Sequence, residues 1–230
     1  MFRWGERSNG AVWLVIVGAG GHGGELLSYT DDLEVTGAEI DLLGFIDDAV
    51  LPGPMGSTEI LGDLAALARL TASHPTESIH YITAVGNNRA REELVRRVEA
   101  LDLPNLTPWT LVHPRATVGS EVSIGDDTCL APGSIATTRV RIGRHCILNV
   151  KASVSHDTVV EDFVNLNPGA TIAGGVRVGR GCFVGAGATV IQQVTLGENV
   201  VIGAGAVVLG DIPANVTAVG VPARIVKRHA

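Results

Sequence analysis

The sequence predicts a two-domain α/β plus β chain: a small Rossmann-like parallel-sheet domain over residues 1–107, then a parallel β-helix of hexapeptide repeats over 108–230 with a carboxyl-terminal tail. Three observations carry that reading. Sixteen apolar or small residues recur at every sixth position from Val118 to Val208 without an insertion. The position two before is apolar or small as well, from Val122 and Val140 through Cys146, Ala152 and Val164 to Ala206, as alternation across a short strand requires. Ahead of the repeats, apolar runs alternate with glycine- or asparagine-rich turns and helical spacing.

Val12–Val17 (VWLVIV) is a continuous apolar run, as expected of a parallel strand buried on both faces. Gly18-Ala-Gly-Gly-His-Gly23 follows as a turn, and Leu26, Leu27 and Leu33 then carry helical spacing. Leu42–Ile46 is a second strand ending at Asp47-Asp48. Ile79–Val85 is a third, ending at Gly86-Asn87-Asn88 before a helix with Leu94, Val95 and Val98 on one face. Such alternation implies a doubly wound sheet with ligands at the carboxyl ends of its strands. Gly18-x-Gly20-x-x-Gly23 fits a dinucleotide fingerprint, with the acidic Asp47 a little beyond the usual distance. Three readings stand for it: a tight strand-to-helix turn, a nucleotide held by N–H groups at the helix start, and an NAD site. Pro104, Pro108 and Pro114 mark the passage to the repeats.

A period of six scatters apolar residues around a 3.6-residue helix, and each interior glycine would cost a helix about 1 kcal/mol. Three hexapeptides instead close one triangular coil of eighteen residues, giving about five coils whose stacking buries a column no single coil could bury. Gly125, Gly143, Gly179, Gly185, Gly197 and Gly203 directly follow core residues; Gly133, Gly169, Gly187 and Gly205 sit three beyond them, at corners that favour φ > 0. Residues eighteen apart stack at one corner. Thr138, His156, Gly174, Gln192 and Gly210 form such a column, and His156 is its only ionisable member.

The chain is 46% hydrophobic but only 4% aromatic, which suits a coil interior too narrow for rings. A formal net charge of -7 argues against nucleic acid as partner, while local basic clusters remain available to phosphates. The start, MFRWGERSNG, lacks the apolar stretch of a signal peptide and no run approaches the length of a membrane span, so a cytoplasmic protein is expected. The three cysteines make no disulfide or metal pattern. Cys146 and Cys182 fall on the inward position and are expected in the core; Cys129 is expected to face outward.

GAGGHG (Gly18–Gly23), GFIDD (Gly44–Asp48), VGNNRAR (Val85–Arg91), HPRATV (His113–Val118) and the stretch from Asn149 through Ser155-His156-Asp157 resemble the sialic acid O-acetyltransferase and nucleotide-aminosugar N-acetyltransferase family. That family includes the bacillosamine- and perosamine-type sugar N-acetyltransferases. The resemblance implies a left-handed coil, a hand the usual crossover rule would not give. It also implies acetyl-CoA as co-substrate, a nucleotide sugar on the amino-terminal domain, and a homotrimer with active sites between subunits.

By the same resemblance His156 is the general base, because an imidazole with an ordinary pKa near 6.5 can take the proton of an attacking amine or hydroxyl. Asp157 would fix its tautomer, a contact that needs a corner conformation; Asn149 would polarise the site, and the Gly174 N–H would hold the oxyanion. Acetyl-CoA is expected against Asn165, Gly174, Gly175 and Gln192, along Gly185 and Gly203, and near Pro222, Arg224 and Lys227. The nucleotide sugar is expected against Gly20, Gly21, His22, Asp47, Asp48, Asn87, Asn88 and Arg89, with helix capping accounting for Asn88 nearly as well. Asn165 stands where many members carry a second His, and Asn cannot carry a proton at neutral pH. No metal is expected. The implied function is acetyl-CoA-dependent N-acetylation of a UDP-, GDP- or dTDP-linked 4-amino-deoxy sugar by direct attack. O-acetylation of sialic acid or another sugar, and a non-catalytic nucleotide-sugar-binding scaffold, are the alternatives.

Overall fold

The computed structural model describes residues 11–229. The first ten residues, on which the expectation about a signal peptide rests, lie outside that range. Contacts divide the chain into two compact units, with the division between Trp109 and Thr110. No helix among the described residues is long and apolar enough to cross a membrane.

In the first unit, β1 (Val12–Val17), β2 (Ile40–Ile46), β3 (Gly53–Met55), β4 (Thr58–Gly62), β5 (Ile79–Thr83) and β6 (Leu106–Pro108) form one sheet, accompanied by α1 (Gly21–Val35), α2 (Leu64–Ser73) and α3 (Asn88–Glu99). The strand order is β3-β4-β2-β1-β5-β6. Every pair is parallel except the β3–β4 hairpin. Leu14 to Val17 are buried, as the apolar run requires. The chain steps outward from β1 through β2 to β4 and then returns to the other side of β1 as β5. Strand order therefore reverses between β1 and β5, the place where such sheets open a crevice for ligands.

The β3–β4 hairpin and α2 go beyond the elements expected from sequence. Asp63 caps α2 by accepting the Ala66 N–H at 3.0 Å, and Leu64 and Leu67 are buried beneath it. The cap of α3 is Asn87, whose Oδ1 accepts the Ala90 N–H at 3.0 Å. Asn88 is instead the first helical residue, which corrects the expectation that capping would explain it.

In the second unit, two-residue strands line three faces that begin at Leu111–Val112, Thr117–Val118 and Ser123–Ile124. Each strand pairs in parallel with the strand eighteen residues on, as in Cys129 with Ile147, Ile135 with Ser153 and Arg141 with Val159. The coil is a left-handed parallel β-helix. Residues of the six-residue period from Leu130 to Val208 are buried in one continuous cluster, while Val118 and Ile124 are half-buried against it. Thr128 and Thr158 take inward positions without an orphaned hydroxyl. They donate to Gly143 O and Ala173 O, and accept the N–H groups of Cys146 and Val176.

Corner geometry is uniform. The residue three beyond a core position has positive φ at Gly133, Gly169 and Gly187, and equally at Asp127, Arg139, His145, Lys151, Asp157 and Phe163. A non-glycine residue there costs about 1–2 kcal/mol, offset by the ladder of hydrogen bonds between stacked coils.

The tail folds back. Val216–Val219 joins the first face beside Val201–Ile202, and Arg224–Arg228 pairs with it antiparallel. Charges at Lys227 and Arg228 on that outer strand deter pairing with another chain. Cys146 and Cys182 point into the column, where burial pushes the Cys182 thiol up to about 12. Cys129 lies outside the core column, as expected, but is also buried, as are Leu111, Ile147 and Asn165, its neighbours on the same face.

Candidate active site

His156 occupies the corner between the second and third faces, after strand Ser153–Val154 and before Val159–Val160. Its side chain is 61% exposed. Asp157 takes φ 60, which breaks strand alternation and brings its carboxylate to the side of the imidazole. His156 Nδ1 lies 2.7 Å from Asp157 Oδ2. A carboxylate can only accept, so Nδ1 carries a proton here, and in the neutral imidazole Nε2 holds the lone pair.

Arg139, one coil earlier, donates from Nε to Asp157 Oδ1 at 2.7 Å and from Nη2 to Oδ2 at 3.1 Å. This guanidinium, and after it the hydrogen bond from His156, holds the Asp157 carboxyl well below the usual carboxylate range. Asp157 therefore stays ionised throughout the pH range in which an imidazole works. Nothing in the sequence analysis singled out Arg139. Its signal is its spacing, eighteen residues before Asp157 and opposite in charge.

Gly174 lies one coil beyond His156. A Cβ built on it would stand 2.5 Å from His156 Cε1 and 2.6 Å from Nε2, so the ring rests where any larger residue would put its side chain. Among the described residues no acceptor sits on the Gly174 N–H. The equivalent N–H is satisfied at Arg144, by Asp162 at 2.8 Å, and at Arg180, by Glu161 at 2.9 Å, whereas among the described residues Thr138, His156 and Gln192 of the Gly174 column also have no acceptor on it. A base with a fixed tautomer and an uncommitted N–H thus lie against each other, a combination suited to proton removal beside a developing oxyanion.

Gln192 belongs to the same column and is exposed; Gly175, next to Gly174, has φ 67. Asn149, Gly185 and Gly203 stack at the corner between the first and second faces, so one chain does not bring them to His156. Asn149 Oδ1 accepts the Val150 N–H at 2.6 Å. Coil stacking itself demands Gly185, where a Cβ would stand 2.5 Å from Ala204 N, whereas a Cβ on Gly203 would meet a side chain of the tail strand, Val219 Cγ1, at 2.7 Å. Asn165 is buried on the first face, away from the His156 corner. Pro222, Arg224 and Lys227 are exposed around the end hairpin, with Arg224 Nη1 on Ala223 O at 3.0 Å.

At the switch point of the first unit, Gly20 caps α1 and a Cβ on Gly23 would stand 2.4 Å from Gly18 O, so Gly23 serves close helix–strand packing. Gly20 and Gly21 face open space. Asp47 accepts the N–H groups of Ala19 and Ala49, each at 2.8 Å, and so ties the glycine loop to the end of β2. Asp48 turns to α2 and α3, accepting Leu64 N–H at 3.3 Å and pairing with Arg97 at 2.7 Å. His22 Nδ1 lies 2.8 Å from Glu25, whose carboxyl is held below its usual range by that bond. His22 Nε2 is buried with no partner among the described residues. Arg89 is exposed. The sequence reasoning also missed Arg91, fully buried, which donates to Val85 O at 2.7 Å and to Asn88 Oδ1 at 3.3 Å and so fastens the loop after β5.

A second His–Asp pair, His145 with Asp127 at 2.8 Å, is buried at the corner between the third and first faces. Its imidazole stacks on Phe163 with centroids 4.5 Å apart, and Arg180 lies over the Phe163 ring. Among the described residues no group of three His, Cys, Asp or Glu could hold a metal ion.

The PglD N-terminal domain profile matches residues 13–98, and the bacterial transferase hexapeptide (six repeats) profile matches 157–192 and 175–210. A histidine-to-alanine variant of GDP-perosamine N-acetyltransferase from Caulobacter crescentus, in complex with CoA and GDP-perosamine, is 31% identical. The match covers 95% of this chain and 97% of that one, with a TM-score of 0.83. The acetyltransferase domain of PglB from Neisseria gonorrhoeae, in complex with acetyl coenzyme A, is 30% identical over 94% of this chain and 100% of that one, with a TM-score of 0.82. WeeI from Acinetobacter baumannii is 26% identical over 94% and 100% of the two chains, with a TM-score of 0.76. No curated protein sequence matches the chain.

Proposed function

The chain belongs to the family of sugar acetyltransferases that join a PglD N-terminal domain to bacterial transferase hexapeptide repeats, and we propose that it moves the acetyl group of acetyl-CoA to the amine of a nucleotide-linked 4-amino-deoxy sugar. The observation that carries this reading is the His156 imidazole, fixed by Asp157 and laid against an uncommitted Gly174 N–H. The amine nitrogen attacks the thioester carbonyl carbon while His156 Nε2 accepts its proton. The carbonyl oxygen takes the negative charge toward the Gly174 N–H, an interaction worth about 2.7–4 kcal/mol for one good donor. The C–S bond then breaks, and the imidazolium returns the proton to the departing thiolate. Products are the acetamido sugar and CoA.

In this reading the nucleotide sugar is held at the switch point of the first unit by Gly20, Gly21, His22 and Asp47, with Asp48, Asn87, Asn88 and Arg89 around the same strand ends. The unpartnered His22 Nε2 supports that assignment, because a buried polar atom of this kind is normally satisfied. Acetyl-CoA is assigned to Gly174, Gly175, Gln192 and Asn165, to the column of Asn149, Gly185 and Gly203, and to Pro222, Arg224 and Lys227. Because the Asn149 column lies at another corner of the same chain, a second copy must present it to His156, as a homotrimer would. The test is CoA thiol release from acetyl-CoA with GDP-, UDP- and dTDP-linked 4-amino sugars, sialic acid and simple amines. The proposal expects a nucleotide amino sugar to turn over fastest. A sialic acid or other hydroxyl acceptor turning over far faster would replace it with O-acetylation.

A further inference from the structure

We propose that Arg139 is a positioning residue for the base, clamping the Asp157 carboxylate side-on so that Oδ2 meets His156 Nδ1. The inference rests on the reading of His156 as general base. Arg139 and Asp157 occupy the same positive-φ turn position one coil apart, with φ 50 and φ 60. Both carboxylate oxygens are engaged by one rigid planar fork, and Oδ2 is shared with the imidazole. An exposed carboxylate on a turn would otherwise rotate about its side-chain bonds. As a contribution to stability such an exposed pair is worth little, so the consequence of the clamp is orientation.

Charges along this column alternate: Glu121, Arg139, Asp157. The coil beyond presents Gly175 and Gln193, so no other charge in the column faces Asp157 from that side. Arg139 thereby offsets the carboxylate that would otherwise stabilise imidazolium. Removing the guanidinium has two separable effects. Loss of orientation lowers kcat on the order of ten- to a hundredfold, and loss of the positive charge beside Asp157 moves the acid limb of kcat/KM up.

The experiment compares Arg139→Gln, Arg139→Lys and His156→Ala for kcat, acetyl-CoA KM and pH profile, with 15N-histidine spectra reporting the His156 tautomer. Expected are a parental acetyl-CoA KM in all Arg139 variants, a reduced kcat, raised acid limb and mixed tautomer in Arg139→Gln, and a parental acid limb with intermediate kcat in Arg139→Lys. Arg139→Gln with parental kcat, limb and tautomer overturns the proposal. If Arg139→Gln does not fold, Arg139→Lys decides through kcat and tautomer. Full activity of folded His156→Ala would instead overturn the general-base reading, while the tautomer measurement would still decide whether Arg139 orients the ring.

Discussion

Gly174→Ala separates catalysis from folding at a single atom. Gly174 has no positive φ, so alanine is acceptable to its backbone. The added Cβ would stand 2.5 Å from His156 Cε1 and 2.6 Å from Nε2. Ordinary contact begins near 3.4 Å, so the ring must move by about 0.9 Å. His156 is a largely exposed side chain with room to swing outward, so the fold tolerates the change within about 0.5 kcal/mol, as for most surface substitutions. A catalytic group displaced by about 1 Å loses on the order of a hundredfold in rate, or about 2.7 kcal/mol of transition-state stabilisation. The assay is CoA thiol release under saturating acetyl-CoA, beside a thermal melt. Gly181→Ala, at φ 69 in the corner between the third and first faces, is the opposite control: a strained turn costing about 1–2 kcal/mol with unchanged kcat. A folded Gly174→Ala enzyme with parental kcat/KM would refute the claim that the imidazole works from its place against Gly174.

Asp47→Ala and His22→Ala should each raise the KM for the sugar acceptor about tenfold, as expected for one lost hydrogen bond, while leaving that for acetyl-CoA unchanged; a change confined to acetyl-CoA would contradict the assignment. Cys129, Cys146 and Cys182 are all buried, so an aromatic disulfide reagent at pH 8 should titrate well under one thiol per folded chain and all three after denaturation. Rapid reaction of more than one thiol in the folded protein would show that the column holding Cys146 and Cys182 opens. Asp127→Ala should lower stability by about 1–3 kcal/mol, because it removes the carboxylate that lies 2.8 Å from the buried His145 Nδ1, with kcat preserved at temperatures where the variant is folded. A melt unchanged from the parent would show that the pair is not the buried contact described.

The regular part of the fold was legible because one constraint repeats: each coil must offer an inward residue at a fixed period, so Leu130 to Val208 announce themselves without any tertiary knowledge. The same eighteen-residue rule reads site columns, and it placed Gly174 over His156. Applied to charges, it pairs Arg139 with Asp157 and Asp127 with His145, contacts legible in the spacing although neither pair belongs to the column of His156. Asp63 followed by Leu64 and Leu67 carries a cap and helical spacing, so α2 was also legible. The structural contact of Asp47 is not legible in the sequence. Its carboxylate accepts the Ala19 N–H across 28 residues, and only the neighbouring ends of β1 and β2 in the parallel sheet bring the two together.

The central claim is that His156 removes the acceptor's proton. Its most direct test is the pH profile of kcat/KM for His156→Asn beside the parent, with a nucleotide 4-amino sugar as acceptor and binding of acetyl-CoA measured separately. The parent should show a limb from the acceptor amine, which must be neutral to attack, and one from the enzyme. The folded variant should bind acetyl-CoA normally, lose about 10²–10⁴ in kcat, keep the amine limb and lose the enzyme's. Parental turnover by a folded His156→Asn enzyme, with both limbs intact, would contradict the account.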